Sequence, residues 1–261
     1  MFIGTARPSQ EELKGVQHFF IGSHSIHDEL TSGRYCREAE HILNAQFNTH
    51  EMVLLTGGSG MYIDALCKGL DNVPVSETHR QELTEEWQNN GLSSLLAELE
   101  DKDPEHFSRI DKNNPMRIIR ALETIRSAGK PYSSFIGMKS KELPFEIIRF
   151  RISHPREKLY QRINERVDLM MESGLLEESK SLYPKRKLNA LKTVGYAELF
   201  EYFEGKTDLK RAVDLIKQHT RNYAKRQETW FRRNPESQPV PFSNIEEMKN
   251  EVIQAVNSRF K

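Results

Sequence analysis

Met52-Val-Leu-Leu-Thr56 is an unbroken apolar run of strand length, stopped by Gly57-Gly58-Ser59-Gly60 and followed by a helix-patterned stretch, Met61 to Cys67. A buried strand, a glycine turn and a helix in that order are the signature of a parallel α/β layer. His18 to Gly22 and the alternating Phe145 to Ile152 read as further strands. Around them the spacing predicts helices at Pro8–Leu13, with proline at its first position, and at Ser32–Phe47, with Tyr35, Ala39, Ile42 and Leu43 inward. Three more complete the chain: Pro155–Ser173 stopped by Gly174, Val194–Glu204 stopped by Gly205, and Thr207–Arg233.

Between Pro74 and Pro144 the pattern is helical only. Glu77–Gln88 and Leu92–Glu100 come first, then a short helix opened by Asp103-Pro104. The clearest start and stop follow: Asn114 as N-cap, Pro115 at the first position and Gly129 at the end. A helical segment bracketed by sheet strands reads as an insertion domain at 74–144, dividing a core made of 1–73 and 145–261.

The 261 residues carry 38 lysines and arginines against 38 aspartates and glutamates, which excludes a global basic field. The charges are unevenly placed. Glu77 to Glu105 is acidic, whereas cations gather at Arg117–Lys130, Lys185–Lys192 and the last helix. Local basic patches on a neutral chain fit a protein that grips one polyanion at a defined place. Two cysteines without metal-type spacing, and the lack of a signal peptide or a membrane-length run, lead us to expect a reduced, cytoplasmic setting.

The last helix carries two faces. Leu209, Val213, Ile216, Thr220, Tyr223 and then Trp230 or Phe231 recur at three- and four-residue steps and are expected inward. Arg221, Lys225 and Arg232 form another stripe, flanked by Arg226 and Arg233, with Glu228 the one acidic neighbour. A solvated charged face accounts for this; so does a phosphate-binding surface with interleaved aromatics. The same pair of readings applies to Arg117 and Arg120, one turn apart at a helix start, and to Lys158, Arg162 and Arg166 in line on another helix. The Gly57–Gly60 turn is either a tight connection or an anion cradle presenting the Ser59 hydroxyl. Gly205-Lys206-Thr207 imitates the end of a P-loop, but Phe200 stands where the leading glycine belongs and a helix precedes it. His24, His27 and Asp28 read as a capped loop, not a metal site.

Read together, the motifs resemble the tRNA dimethylallyltransferase family. The matching stretches are Ile3–Pro8, Leu55–Tyr62, Asn114–Glu123, Arg162–Arg166, Thr193–Tyr196 and Ala224–Arg232, in the family's order and spacing. The resemblance implies an α/β core like that of P-loop nucleotide kinases, a helical insertion that clasps the tRNA anticodon stem-loop, and C-terminal helices. It implies transfer of a dimethylallyl group from dimethylallyl pyrophosphate to N6 of the adenosine 3′ of the anticodon, with Mg²⁺ at the pyrophosphate. By the same resemblance Ser59 and Arg80 belong to the catalytic channel, and Arg166, with Arg162 second, to the pyrophosphate. Met116, Arg117, Ile118, Ile119 and Arg120, Lys192, Thr193, Val194, Gly195 and Tyr196, and Lys225, Arg226, Gln227, Trp230 and Arg232 fall in tRNA-contact segments. Family members open with a P-loop and an aspartate base ahead of the Ile-Gly-Thr-Ala motif. The chain is therefore expected to lack both, with the Mg²⁺ ligands, and to be inactive as given; the full-length protein is expected to be monomeric. A non-catalytic RNA-binding remnant and an adenylate prenyltransferase stand as alternatives.

Overall fold

The structure, a computed structural model, describes residues 1–137 and 142–259. It divides into two compact units, one of Met1–Ile63 with Phe145–Lys261 and one of Asp64–Pro144.

The first unit holds α1 (Ser32–Gln46), the start of α2 (Gly60–Lys68), and everything after the second unit. Thr31 caps α1 by accepting the Arg34 amide, as a threonine ahead of an apolar-periodic run should. Met52 to Thr56 form no strand. They are irregular and exposed, Leu54 to 87%, because a strand needs hydrogen-bonded partners and none of the described residues supplies them. His18–Gly22 is likewise a series of bends, and Pro8–Leu13 makes turns in which Ser9 and Glu12 bond each other's amides without propagating a helix.

The second unit contains α3 (Glu77–Asn90), α4 (Ser93–Lys102), α5 (Pro104–Arg109) and α6 (Pro115–Ala128). Local signals decide its ends. Asn114 accepts the Arg117 amide at the start of α6, and Gly129 ends it at φ 65°, where a side chain would be strained. Leu83, Leu95, Leu99, Ile118, Ile119, Leu122 and Ile125 make its core.

The first unit resumes with β1 (Phe150–Ser153), α7 (Arg156–Glu172), α8 (Leu175–Leu182), α9 (Tyr196–Phe203), α10 (Leu209–Arg232), β2 (Gln238–Pro241) and α11 (Ile245–Asn257). β1 and β2 pair in parallel, with Phe150 opposite Gln238 and Ser153 opposite Pro241. They are the one sheet among the described residues, shorter than the expected Phe145–Ile152 strand. The core packs Val167, Leu175, Leu191, Tyr196, Leu199, Phe200, Ala212 and Ile216 between α7, α8, α9 and α10. No helix among the described residues is long and apolar enough to cross a membrane.

Candidate nucleic-acid interface

The glycine turn ahead of α2 and the C-terminal half of α10 meet. Gln227 Nε2 donates to the Gly58 carbonyl at 3.0 Å. A Cβ on Gly60 would lie 2.2 Å from the Trp230 indole, so glycine is required for the close approach. The turn then feeds α2, the Ser59 carbonyl accepting the amides of Tyr62 and Ile63 at 3.0 and 3.2 Å. Ser59 is left exposed beside Gln227 and Trp230. Residues expected at the site from two separate motifs, Ser59 from one and Gln227 and Trp230 from the other, are thus brought together.

Lys225, Arg226, Arg232 and Arg233 are exposed along the same helix. Glu228 is the single acid between Lys217 and Arg233, and it takes Arg232 at 3.5 Å. Arg226 lies 5.7 Å from the Tyr223 ring centroid and Arg233 5.7 Å from that of Trp230. Arg221 is held differently: its Nη1 donates to Asn164 Oδ1 at 2.6 Å and its guanidinium lies over Tyr160. On α7, Arg162 and Arg166 are both exposed. Arg162 sits 4.4 Å over the Phe242 ring, which also stacks on His154; burial and then Arg162 lower the pKa of that histidine. Arg166 has no hydrogen-bond or ion-pair partner among the described residues.

Several expected contact residues lie elsewhere. Tyr196 is fully buried, and its hydroxyl donates to the Glu178 carboxylate, which also accepts the amides of Phe2, Ile3 and Gly4. Burial alone would raise the Glu178 pKa; the hydroxyl and the three amides overcome it and leave the carboxyl below its ordinary value. Gly195, at φ 102°, gives its amide to Glu198 at 2.7 Å, and the other Glu198 oxygen lies 2.6 Å from His219. Of this loop, Lys192 and Thr193 alone are exposed, while Val194 packs on the core. In the second unit Ile118 and Ile119 are core side chains, because three-to-four-residue spacing turns both inward with Leu122. Arg80 donates Nε and Nη2 to Glu123 at 3.1 and 2.9 Å, and Arg120 donates Nη1 to it at 3.2 Å. Glu123 is 1% exposed, so both arginines serve a buried carboxylate. Met116 and Arg117 remain on the surface.

Sequence reasoning missed Glu178, Glu198 and His219, for which a lone Glu or His carries no signal, and it placed Tyr223 inward. Tyr223 is 42% exposed and Trp230 37%. Among the described residues no three of His, Cys, Asp or Glu converge where a metal ion could sit. Lys206, in the imitation P-loop, pairs with Glu204 at 2.6 Å.

A family model described as IPP transferase matches residues 1–234. The chain belongs to the IPP transferase family. It is 46% identical over 235 residues to tRNA dimethylallyltransferase 1 of Bacteroides fragilis, covering 90% of this chain and 78% of that protein. The full-length tRNA isopentenylpyrophosphate transferase of Bacillus halodurans has the same fold at TM-score 0.70 and 29% identity, over 98% of this chain and 82% of that one. A eukaryotic dimethylallyltransferase acting on tRNA shares the fold at TM-score 0.76 and 21% identity, over 97% of this chain and 67% of that one. Within this family's fold, the chain sets its glycine turn and its cationic helix against each other through Gln227 and Trp230.

Proposed function

We propose that the chain works in prenyl transfer to tRNA, with dimethylallyl pyrophosphate as donor and N6 of the adenosine 3′ of the anticodon as acceptor. The observation that carries this reading is the docking of the Ser59 turn onto α10, which puts a small hydroxyl-bearing turn beside a row of exposed cations. In this reading the N6 amine forms a bond to C1 of the donor as the C1–O bond to pyrophosphate breaks, and one N6 proton is lost to solvent. Lys225, Arg226 and Arg232, with Lys192 and Thr193, bind RNA phosphates; Arg117 does so in the helical unit. Arg166 meets the pyrophosphate. Its freedom from local ion pairs suits that task, since no partner has to be displaced.

The test is binding of a hairpin with the sequence of an anticodon arm. The hairpin with adenosine 3′ of the anticodon should bind more tightly than one with uridine there, and equal affinity would count against the reading. Arg166→Ala should weaken dimethylallyl pyrophosphate binding by about ten- to a hundredfold, the equivalent of about 1.5–3 kcal/mol for one charge-assisted contact, and leave hairpin affinity unchanged. Calorimetric titration with each ligand separates the two. Loss of hairpin binding with normal donor affinity would reassign Arg166 to the RNA.

A further inference from the structure

His219, Tyr223, Arg226 and Trp230 on α10, and Arg233 at its C-cap in helical conformation, follow one another at steps of four and three and so share one face. The continuing apolar period places Tyr223, and then Trp230 or Phe231, in a core, but the core ends earlier. The last α10 residue in the buried cluster is Ile216. At 24 residues the helix is about 36 Å long, and its C-terminal half runs past that cluster, where Trp230 lies against the Gly60 turn. Both residues are more than a third exposed, and each ring has a guanidinium 5.7 Å from its centroid.

An exposed aromatic next to an arginine offers a flat π surface and a cation together. A nucleobase that has left its helix presents a flat face, and its phosphate an adjacent negative charge. Charge also selects the partner: between Lys217 and Arg233 there are six lysines and arginines and one acid, Glu228. An acidic or apolar protein surface could use the cations or the rings, but not their alternation. Resting on the proposed RNA reading, we propose that Tyr223–Arg226 and Trp230–Arg233 are two stacking platforms for unpaired nucleobases of the bound RNA. They lie about 10 Å apart along the helix. The neighbouring Lys225 and Arg232 take the phosphates. The face would then recognise single-stranded character, which a row of phosphate contacts alone cannot do.

The experiment compares two RNA probes by fluorescence anisotropy, an anticodon-arm hairpin with its unpaired loop and a blunt duplex of the same length and base composition. Tyr223→Leu should lower hairpin affinity about five- to a hundredfold, the range expected for one stacked base, with the salt slope and duplex affinity unchanged. Tyr223→Phe should restore wild-type binding, since the ring acts and the hydroxyl does not. Independently of Tyr223, in a Trp87→Phe background Trp230 is the sole tryptophan; the hairpin should quench its emission and the duplex should not. Equal losses on hairpin and duplex, a reduced salt slope, or no effect of Tyr223→Leu with no quenching would overturn the stacking proposal while leaving RNA binding intact. A wild-type chain that binds neither probe would remove the underlying reading and the proposal with it.

Discussion

Lys225→Ala combined with Arg232→Ala should weaken tRNA binding about thirtyfold at physiological salt and reduce the slope of log affinity against log salt by about two. Each phosphate contact releases roughly one counterion, and at about 0.15 M salt that release is worth a severalfold change in affinity. Both side chains are exposed, and the Glu228 partner of Arg232 at 3.5 Å is too loose to compete strongly with a phosphate. The loss should be uniform across tRNA sequences, because phosphates carry no sequence information. Anisotropy titrations at several salt concentrations measure both quantities. Unchanged affinity and slope would make this face an ordinary solvated one.

Asp103→Ala should destabilise the second unit by about 2–4 kcal/mol. Asp103 is buried and accepts the His106 amide at 3.0 Å, capping α5, together with the Ser133 amide at 2.7 Å and hydroxyl at 2.9 Å. The cap alone is worth roughly 0.5–2 kcal/mol, and the remaining bonds to a charged acceptor add to it. Burial by itself would raise the Asp103 pKa, but these donors hold it below the ordinary value. A carboxyl depressed by folding contributes stability that is present above its unfolded pKa of about 3.9 and is lost as pH falls through the lower folded value. The difference between wild type and Asp103→Ala should therefore shrink in acid. Asp103→Asn, which keeps an acceptor but cannot ionise, should lack that dependence. Urea unfolding from neutral pH to about pH 3 provides the measurement, and a pH-independent difference would mean that the charge contributes nothing.

What could be read from the sequence was what nearest neighbours decide. Asn114, Pro115 and Gly129 bound α6 because capping and the left-handed stop are settled within one turn. The match of motif order to a family was equally legible, since it needs no geometry. Met52–Thr56 was misread because apolarity and length report a strand's propensity but not its partners. The helix α8 escaped notice because Gly174, a sound stop for α7, is also the residue from which α8 starts, at φ 98°. Tyr196 and Tyr223 exchanged places for one reason: a tyrosine is equally at home buried with a hydroxyl partner or exposed with a cation. Which one it is depends on where the core ends.

The contact between Gly60 and Trp230 restricts how this helix could be altered by successive single changes. Any side chain at residue 60 collides with the indole while the indole is there. A smaller residue at 230, introduced first, opens a gap under the turn and removes a ring from the cationic face. Either single step is a loss, and only the pair restores contact. A search that varies one codon at a time will therefore find both positions frozen, and a library randomising residues 60 and 230 together is the way to discover other turn–helix pairings.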